Sequence, residues 1–420
     1  MLPLPVVDAS HPSGSNGACW CWSRCFAATL VGLLAYFLSC FVTPQLAEPT
    51  VFGVEWQQKS VDPWQFGGQI PHRLLAPILA HYLGLGGAHW VTFTQGTAVL
   101  MLALVHLVAR WRGAAVIDAT LITLAVAATG TVQIYKVSLV GYVDNLGYAI
   151  LLLMWLVARR PVLFWTLFLA CLTNHEMVLF FLPWLWYVRR LAGGSAKADV
   201  LAIGVVFGLY KLFRMYVGAH SPTWAYDGDY FLAHTFLPIT FLWLWALSGV
   251  YLVTMFGPLL AVVGWHVAAP RPRGERWHAA LLIGGMLAIF LFAYDFFRHS
   301  NMMAFPLLIA SVRFLGSTRS RLVYAASIVA TAILGSYACY GETHRWLFLT
   351  MQIECGGHQL IEPANRFHLA LHWDILVGTV QRAWPQLLQI AALAVGIGGL
   401  VLVYRRYRIG GEDERPAAAP

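Results

Sequence analysis

The chain has 420 residues, of which 59% are hydrophobic and 11% charged, and its mean hydropathy is +0.66. Soluble domains carry about 25% charged residues, so this composition excludes a soluble enzyme and predicts an all-α, polytopic transmembrane helical bundle whose main partner is the lipid bilayer. The net charge of +8 does not point to nucleic acid, because the Lys and Arg residues stand in short runs beside apolar segments.

Residues 1–24 read as a cytoplasmic N-terminal segment, polar and rich in Pro, Ser and Gly, with Arg24 as its basic residue. Cys19, Cys21 and Cys25 lack the second ligand pair of a zinc site; palmitoylation stays open. Cys25–Val42 is too long for an ordinary signal-peptide core and reads as an uncleaved signal anchor, opening a transmembrane domain over 25–404. An outer loop, 44–88, follows. In it Leu74, Leu75, Ile78, Leu79 and Leu83 recur at helical spacing behind Pro71, which predicts an amphipathic helix at the membrane surface. Such a helix either anchors the loop or carries charged side chains to a lipid headgroup.

Further spans are expected at His89–Ala109, Ala114–Gly130 and Val143–Ala158. Arg110, Arg112, Arg159 and Arg160 then fall on the cytoplasmic side, as the positive-inside rule asks. Pro161–Val188 breaks the alternation, since Arg159 and Arg160 precede it and Arg189 and Arg190 follow it. Each arm beside Asn174, His175 and Glu176 reaches about 18 Å, short of a 30 Å hydrocarbon core. A re-entrant or broken helix pair with its polar tip in a wet cavity is one solution; a straight helix that violates the charge rule is the other. Val200–Val217, Leu237–Val267, Ala279–Phe297, Met303–Leu315, Leu322–Cys339 and Leu387–Tyr404 complete ten crossings, within a range of 10–13 spans. Both termini are then expected in the cytoplasm, with a tail at 405–420, in a multi-pass membrane protein. A second outer loop, 340–385, brings Cys339 and Cys355 near enough to pair.

Ionisable groups among apolar segments are costly and default to functional hypotheses. This topology sends most of them outward: Glu48, Glu55, Asp62, His72, Arg73, Lys136, Asp144, His175, Glu176, Lys211, Arg214, Asp227, Asp229, Asp295, Arg298 and His299. One cavity open to the non-cytoplasmic face would gather them. The plainer alternatives are Asp295 neutralising Arg298 three residues on, Asp144 pairing with Lys136 across a turn, and Asp227 and Asp229 solvated in a loop. Outer acidic residues could also hold Mg²⁺ or Mn²⁺ against a phosphate. HExxH, GxxxxGK[ST] and GxSxG are all absent from the sequence, which removes the zinc-hydrolase, nucleotide-loop and acyl-nucleophile signatures.

Taken in order, these features are a first span, an acidic outer loop and a Pro-x-Arg-Leu-x-x-Pro element (Pro71, Arg73, Leu74, Pro77). Asp144, Asn-x-Glu (Asn174, Glu176) and Asp-x-x-Arg (Asp295, Arg298) follow. The layout resembles the GT-C membrane glycosyltransferase superfamily. The resemblance implies a multi-pass protein of a bacterial inner membrane, a polyprenyl-phosphate-linked sugar donor, a glycan or lipid acceptor in the envelope, and inverting transfer on the non-cytoplasmic face. It implies a general base in the first outer loop, matched by Asp62 and less well by Glu55, although the usual adjacent acidic pair is missing. Glu176 joins them as a catalytic candidate. Arg73, His72, Asp144, His175, Lys211, Asp295 and Arg298 are the substrate-binding candidates, and Trp64 and Trp224 could stack on sugar or isoprenoid. A transporter or lipid flippase using the same broken helix, and a non-catalytic partner in envelope-polymer assembly, are the competing readings.

Overall fold

The computed structural model describes residues 22–50, 52–66, 71–221, 249, 251–268, 273–289 and 296–340. Among them every regular element is helical, with no strand. The expected span at Leu387–Tyr404, the tail 405–420, the loop 341–385, Asp227, Asp229, Trp224, Asp295 and Cys355 lie outside the described residues.

The helices are α1 (Trp22–Val42), α2 (Phe52–Lys59), α3 (Leu75–Tyr82), α4 (Trp90–Trp111), α5 (Val116–Ala128), α6 (Gly130–Val137) and α7 (Asp144–Leu156). They continue as α8 (Pro161–Asn174), α9 (Leu182–Leu191), α10 (Ala196–His220), α11 (Leu259–Ala268), α12 (Arg273–Ile289), α13 (Phe296–Ser300), α14 (Ala304–Phe314) and α15 (Thr318–Tyr340). Short 3₁₀ turns occupy Gly87–His89, Glu176–Phe181 and Asn301–Met303.

Of the ten crossings expected, three among the described helices are long and apolar enough to cross a bilayer: α1, Gly87–Trp111 and α10. A fourth forms if α5 and α6, bent by 40°, count as one broken span. α7, α8, α11 and the Trp277–Ile289 part of α12 are apolar but shorter. α7 has 13 residues, about 20 Å at 1.5 Å per residue. The surface of α1 (Phe26, Leu30, Leu34, Phe37 and Phe41) and of α10 (Leu201, Val205, Leu209 and Leu212) is apolar and exposed. Such faces suit lipid rather than water, which makes this a membrane protein at the coarse level.

The core is built on α4, buried along 13 of its residues between α1 and α7. Gly32 sets how closely α1 lies, because a Cβ there would come within 2.9 Å of the backbone of Ala103 and Val99. Backbone contact through small residues substitutes for the hydrophobic drive that lipid removes. The expected span at Ala114–Gly130 breaks where Thr129 takes an extended conformation (φ −87°, ψ 171°). Its hydroxyl meets Thr131 at 3.0 Å, and the Thr131 hydroxyl donates to the Asn301 carbonyl at 3.1 Å. The Thr129 hydroxyl and the Gln133 side-chain amide donate to the Val126 and Ala127 carbonyls, both at 2.8 Å, and so cover backbone groups freed at the break.

The segment after α7 turns back. The returning arm, α9, brings Arg189 to donate to the carbonyl of Ala158, just before α8 begins. Arg189 also donates to Asp199 at 3.0 and 3.1 Å, where Trp165 Nε1 joins at 3.0 Å. Both ends of the hairpin are therefore fastened to the start of α10, and the break-and-return reading holds over the single straight helix. The same end of the bundle collects Arg112 over Trp155 and the bidentate pair of Arg321 with Asp118 (2.6 and 3.0 Å).

The opposite end is laced by loop contacts. Trp90 Nε1 donates to the Gly141 carbonyl at 2.9 Å, the Thr50 hydroxyl to Ser138 at 2.7 Å, and the Leu74 amide to Thr173 at 2.9 Å. Gly141 has φ +85°, and a Cβ there would sit 3.0 Å from Pro49 and 3.0 Å from Trp90 Nε1. Both left-handed backbone and crowding then oppose any side chain. Gly141→Ala is expected to lose about 1–3 kcal/mol of stability, read as a lower midpoint of thermal unfolding in detergent.

Candidate functional site

At that laced end, three chain breaks converge: the loop before α3, the turn between α8 and α9, and the start of α13. The charged residues they carry meet. Arg73 presents its side-on fork to Glu176, with Nε 3.0 Å from Oε2 and NH2 2.6 Å from Oε1. His72 Nε2 lies 3.4 Å from the same Oε2. The fork is delivered by Leu74, whose amide is bonded to Thr173 beside the break. Two parallel N–H···O⁻ contacts are the geometry in which a guanidinium recognises a planar anion best.

A second pair stands against the first. Arg298 Nε is 3.1 Å from Asp144 Oδ1, and its NH2 meets His175 Nε2. His175 Nε2 is 3.9 Å from Asp144, and the His299 ring packs edge-on to His175 at 5.8 Å. The Arg298 guanidinium lies over Tyr142 at 5.5 Å, and Tyr148 holds the Arg298 carbonyl at 3.1 Å. Asn174 donates to the Val143 carbonyl at 3.1 Å, tying the end of α8 to the start of α7. That bond sets Asp144 next to His175. His175 also receives the Met177 amide at Nδ1, 3.3 Å away. A neutral imidazole has one acceptor nitrogen, so the Arg298 and Met177 contacts cannot both be hydrogen bonds to it.

These named groups set two guanidiniums against two carboxylates. His72, Asp144, His175, Arg298 and His299 are buried, while the Glu176 side chain keeps 15% of its surface exposed. Burial pushes the His72 imidazole below its ordinary value, and the Glu176 carboxylate only partly opposes it. His72 is therefore a neutral hydrogen-bonding partner near pH 7.

Five of the substrate-binding candidates (Arg73, His72, Asp144, His175, Arg298) and one catalytic candidate, Glu176, thus share one cluster. Asp62, Glu55 and Lys211 depart from it, and Asp295 lies outside the described residues. Asp62 is exposed and holds its own turn, accepting the Trp64 amide at 3.2 Å and the Gln65 side chain at 2.8 Å. This is an Asx-type turn, the usual use of an aspartate at a loop corner. Glu55 is held by Lys59 at 2.7 Å, one helical turn away on α2. Lys211 is exposed on the outer face of α10 and makes no contact with the cluster. Lys211→Ala is accordingly expected to change stability by less than about 0.5 kcal/mol, checked by the same unfolding midpoint.

The alternative pairing of Asp144 with Lys136 changes. Lys136 donates to Ser39 Oγ at 2.7 Å and to the Thr43 carbonyl at 3.3 Å, on the side of α1, while Asp144 goes to Arg298. Among the described residues no three His, Cys, Asp or Glu side chains are arranged to hold a metal ion. Arg73 and Arg298 stand against Glu176 and Asp144. Sequence reasoning missed Tyr142 and Tyr148, which support Arg298 from beneath and behind. Their signal was slight: an aromatic two residues before Asp144 and another four after it. Comparison with protein-family models, with curated proteins and with solved structures finds no match.

Proposed function

We propose that the protein transfers a sugar from a polyprenyl-phosphate-linked donor to an envelope glycan or lipid acceptor on the non-cytoplasmic face of a bacterial membrane. The observation that carries this reading is the Arg73–Glu176 fork beside the Asp144–Arg298 pair, at the bundle end opposite the Arg189 and Arg321 clusters. Arg73 recognises a phosphate with the same fork it now offers to a carboxylate. A donor phosphate that takes the fork releases Glu176 into the site as a base. The acceptor hydroxyl oxygen then bonds to the anomeric carbon, and its proton passes to Glu176. The bond from the anomeric carbon to the phosphate oxygen breaks, and its electron pair leaves with the polyprenyl phosphate. Arg73 and Arg298 stabilise the charge that grows on that leaving group.

The two interrupted helices, at Thr129 and at Asn174–Glu176, favour a carrier or flippase as the second reading, since discontinuous helices build transporter sites. One assay separates them. Membranes containing the protein are supplied with labelled polyprenyl-phosphate sugars and scored for label in glycan or lipid product. Product that requires the protein supports transfer. Label that crosses the membrane on an unchanged carrier lipid, with no new glycosidic bond, rejects it in favour of the carrier.

A further inference from the structure

Another guanidinium, that of Arg214, stands beside the Arg73–Glu176 fork. Leu74, next to Arg73 in the chain, packs with Phe66 against Val217 of α10, and Ile78 and Phe213 close in around them. Phe66 also meets Tyr216 edge-on at 5.8 Å. α10 thus turns the stretch that holds Arg214 toward the loop that delivers Arg73. Burial first, and then the charges of Arg214 and Arg73, press the His72 imidazole below its ordinary value against the pull of Glu176. Tyr210 interacts electrostatically with Glu176, Arg214 and Arg73 together. The Arg214 guanidinium stands 6.0 Å from the centre of the Tyr210 ring, and the buried Tyr210 hydroxyl has no partner in ordinary hydrogen-bond geometry. Arg214 is half-buried and Glu176 keeps part of its side chain exposed, so this edge of the cluster reaches the surface.

We infer that Arg214 and Arg73 together seat a phosphate ester at the surface of α10, with its hydrocarbon chain lying along that helix. Charge decides the headgroup: two guanidiniums beside one carboxylate favour an anion with several oxygens to share between them. Position decides the chain. Arg214 lies about 9 Å from the end of α10 at His220, at 1.5 Å per residue, on a helix long enough to cross a bilayer. From there Phe207, Ile203 and Val200 recur on the same face at helical spacing, half-buried or exposed. A Cβ on Gly204, beside them, would meet nothing within 4 Å, so an isoprenoid has an open apolar surface to follow. Tyr210 is a positioning residue here, since its bare hydroxyl oxygen can take one Arg214 N–H while others go to the phosphate. An arginine that only snorkels to bulk headgroups needs neither that hydroxyl nor a second guanidinium nearby. The inference deepens the transferase reading by naming what holds the donor's phosphate and chain, and rests on it only for the chain being isoprenoid.

The test measures saturable binding of labelled farnesyl phosphate, which carries no sugar, to the full chain in phosphatidylcholine nanodiscs. Arg214→Gln should weaken it roughly tenfold, and Lys211→Ala, one helical turn away, should leave it unchanged. Tyr210→Phe should weaken it about threefold without lowering the unfolding midpoint, because the hydroxyl it removes has no protein partner to lose. Farnesol, inorganic phosphate and phosphatidylglycerol should each compete far less well than unlabelled farnesyl phosphate. No saturable binding, parental binding by folded Arg214→Gln, or an equal loss in Lys211→Ala overturns the inference. Displacement by inorganic phosphate as readily as by farnesyl phosphate removes the chain's role, and equal displacement by phosphatidylglycerol reduces Arg214 to a general lipid anchor; either overturns it too. Binding that depends on Arg214 in a protein that forms no transfer product upholds the seat and rejects the transferase. Transfer by Arg214→Gln at the parental KM upholds the transferase and rejects the seat.

Discussion

Replacing Arg298 by methionine is expected to lower the stability of the folded protein by about 3–5 kcal/mol, because it takes the guanidinium away from a buried carboxylate. Asp144 is 5% exposed, and Arg298 stands 3.1 Å from it. Methionine keeps much of the volume over Tyr142 but leaves Asp144 without the cation, and His175 without the guanidinium it faces. A neutral pair isolates the electrostatic part. Asp144→Asn combined with Arg298→Met should recover much of the loss, since removing both charges of a buried pair is often close to neutral. The measurement is a double-mutant cycle of unfolding midpoints in one detergent. A double variant as unstable as the sum of the singles would mean that packing, not the ion pair, holds this corner.

The second large effect is on activity. Glu176→Gln is expected to reduce sugar transfer by about 10²–10⁴-fold, the range over which a positioned base acts. Glutamine keeps the shape and one acceptor oxygen for Arg73, so the site should stay assembled. It cannot accept the acceptor's proton. Arg73→Lys gives the matching result on binding: a lysine brings the charge but not the fork, so the KM for the lipid-linked donor should rise more than kcat falls. Asp62→Ala should retain transfer, because that carboxylate is spent on its own turn. Loss at Asp62 with none at Glu176 would move the base to the outer loop and overturn the assignment.

Glu176 was legible before any coordinates, and the reason is energetic. Two ionisable residues, His175 and Glu176, interrupt an apolar run framed by arginines at both ends. A turn-back with polar partners relieves that cost. Asp62 was singled out from a family layout instead, and a layout says nothing about whether a carboxylate faces a site or closes a loop corner. Lys211 shows the same gap from another side. Helical periodicity fixes which residues share a face, but which face of α10 turns inward depends on what packs beside it.

The sequence by itself determined that this chain is helical and apolar enough to suit lipid, and it offered a broken span after Arg160 beside a straight one. Each follows from local cost: apolar length, the placement of arginines, and charges that a single crossing cannot bury. Only the tertiary structure decided which opposite charges meet. Arg73 and Glu176 are 103 residues apart, and Asp144 and Arg298 are 154 apart. No local pattern selects one partner from several across such distances. Chain crossing does: Leu74 bonded to Thr173 and Asn174 bonded to Val143 bring the loops together, and once they touch, an unpaired charge between them would be too costly to leave.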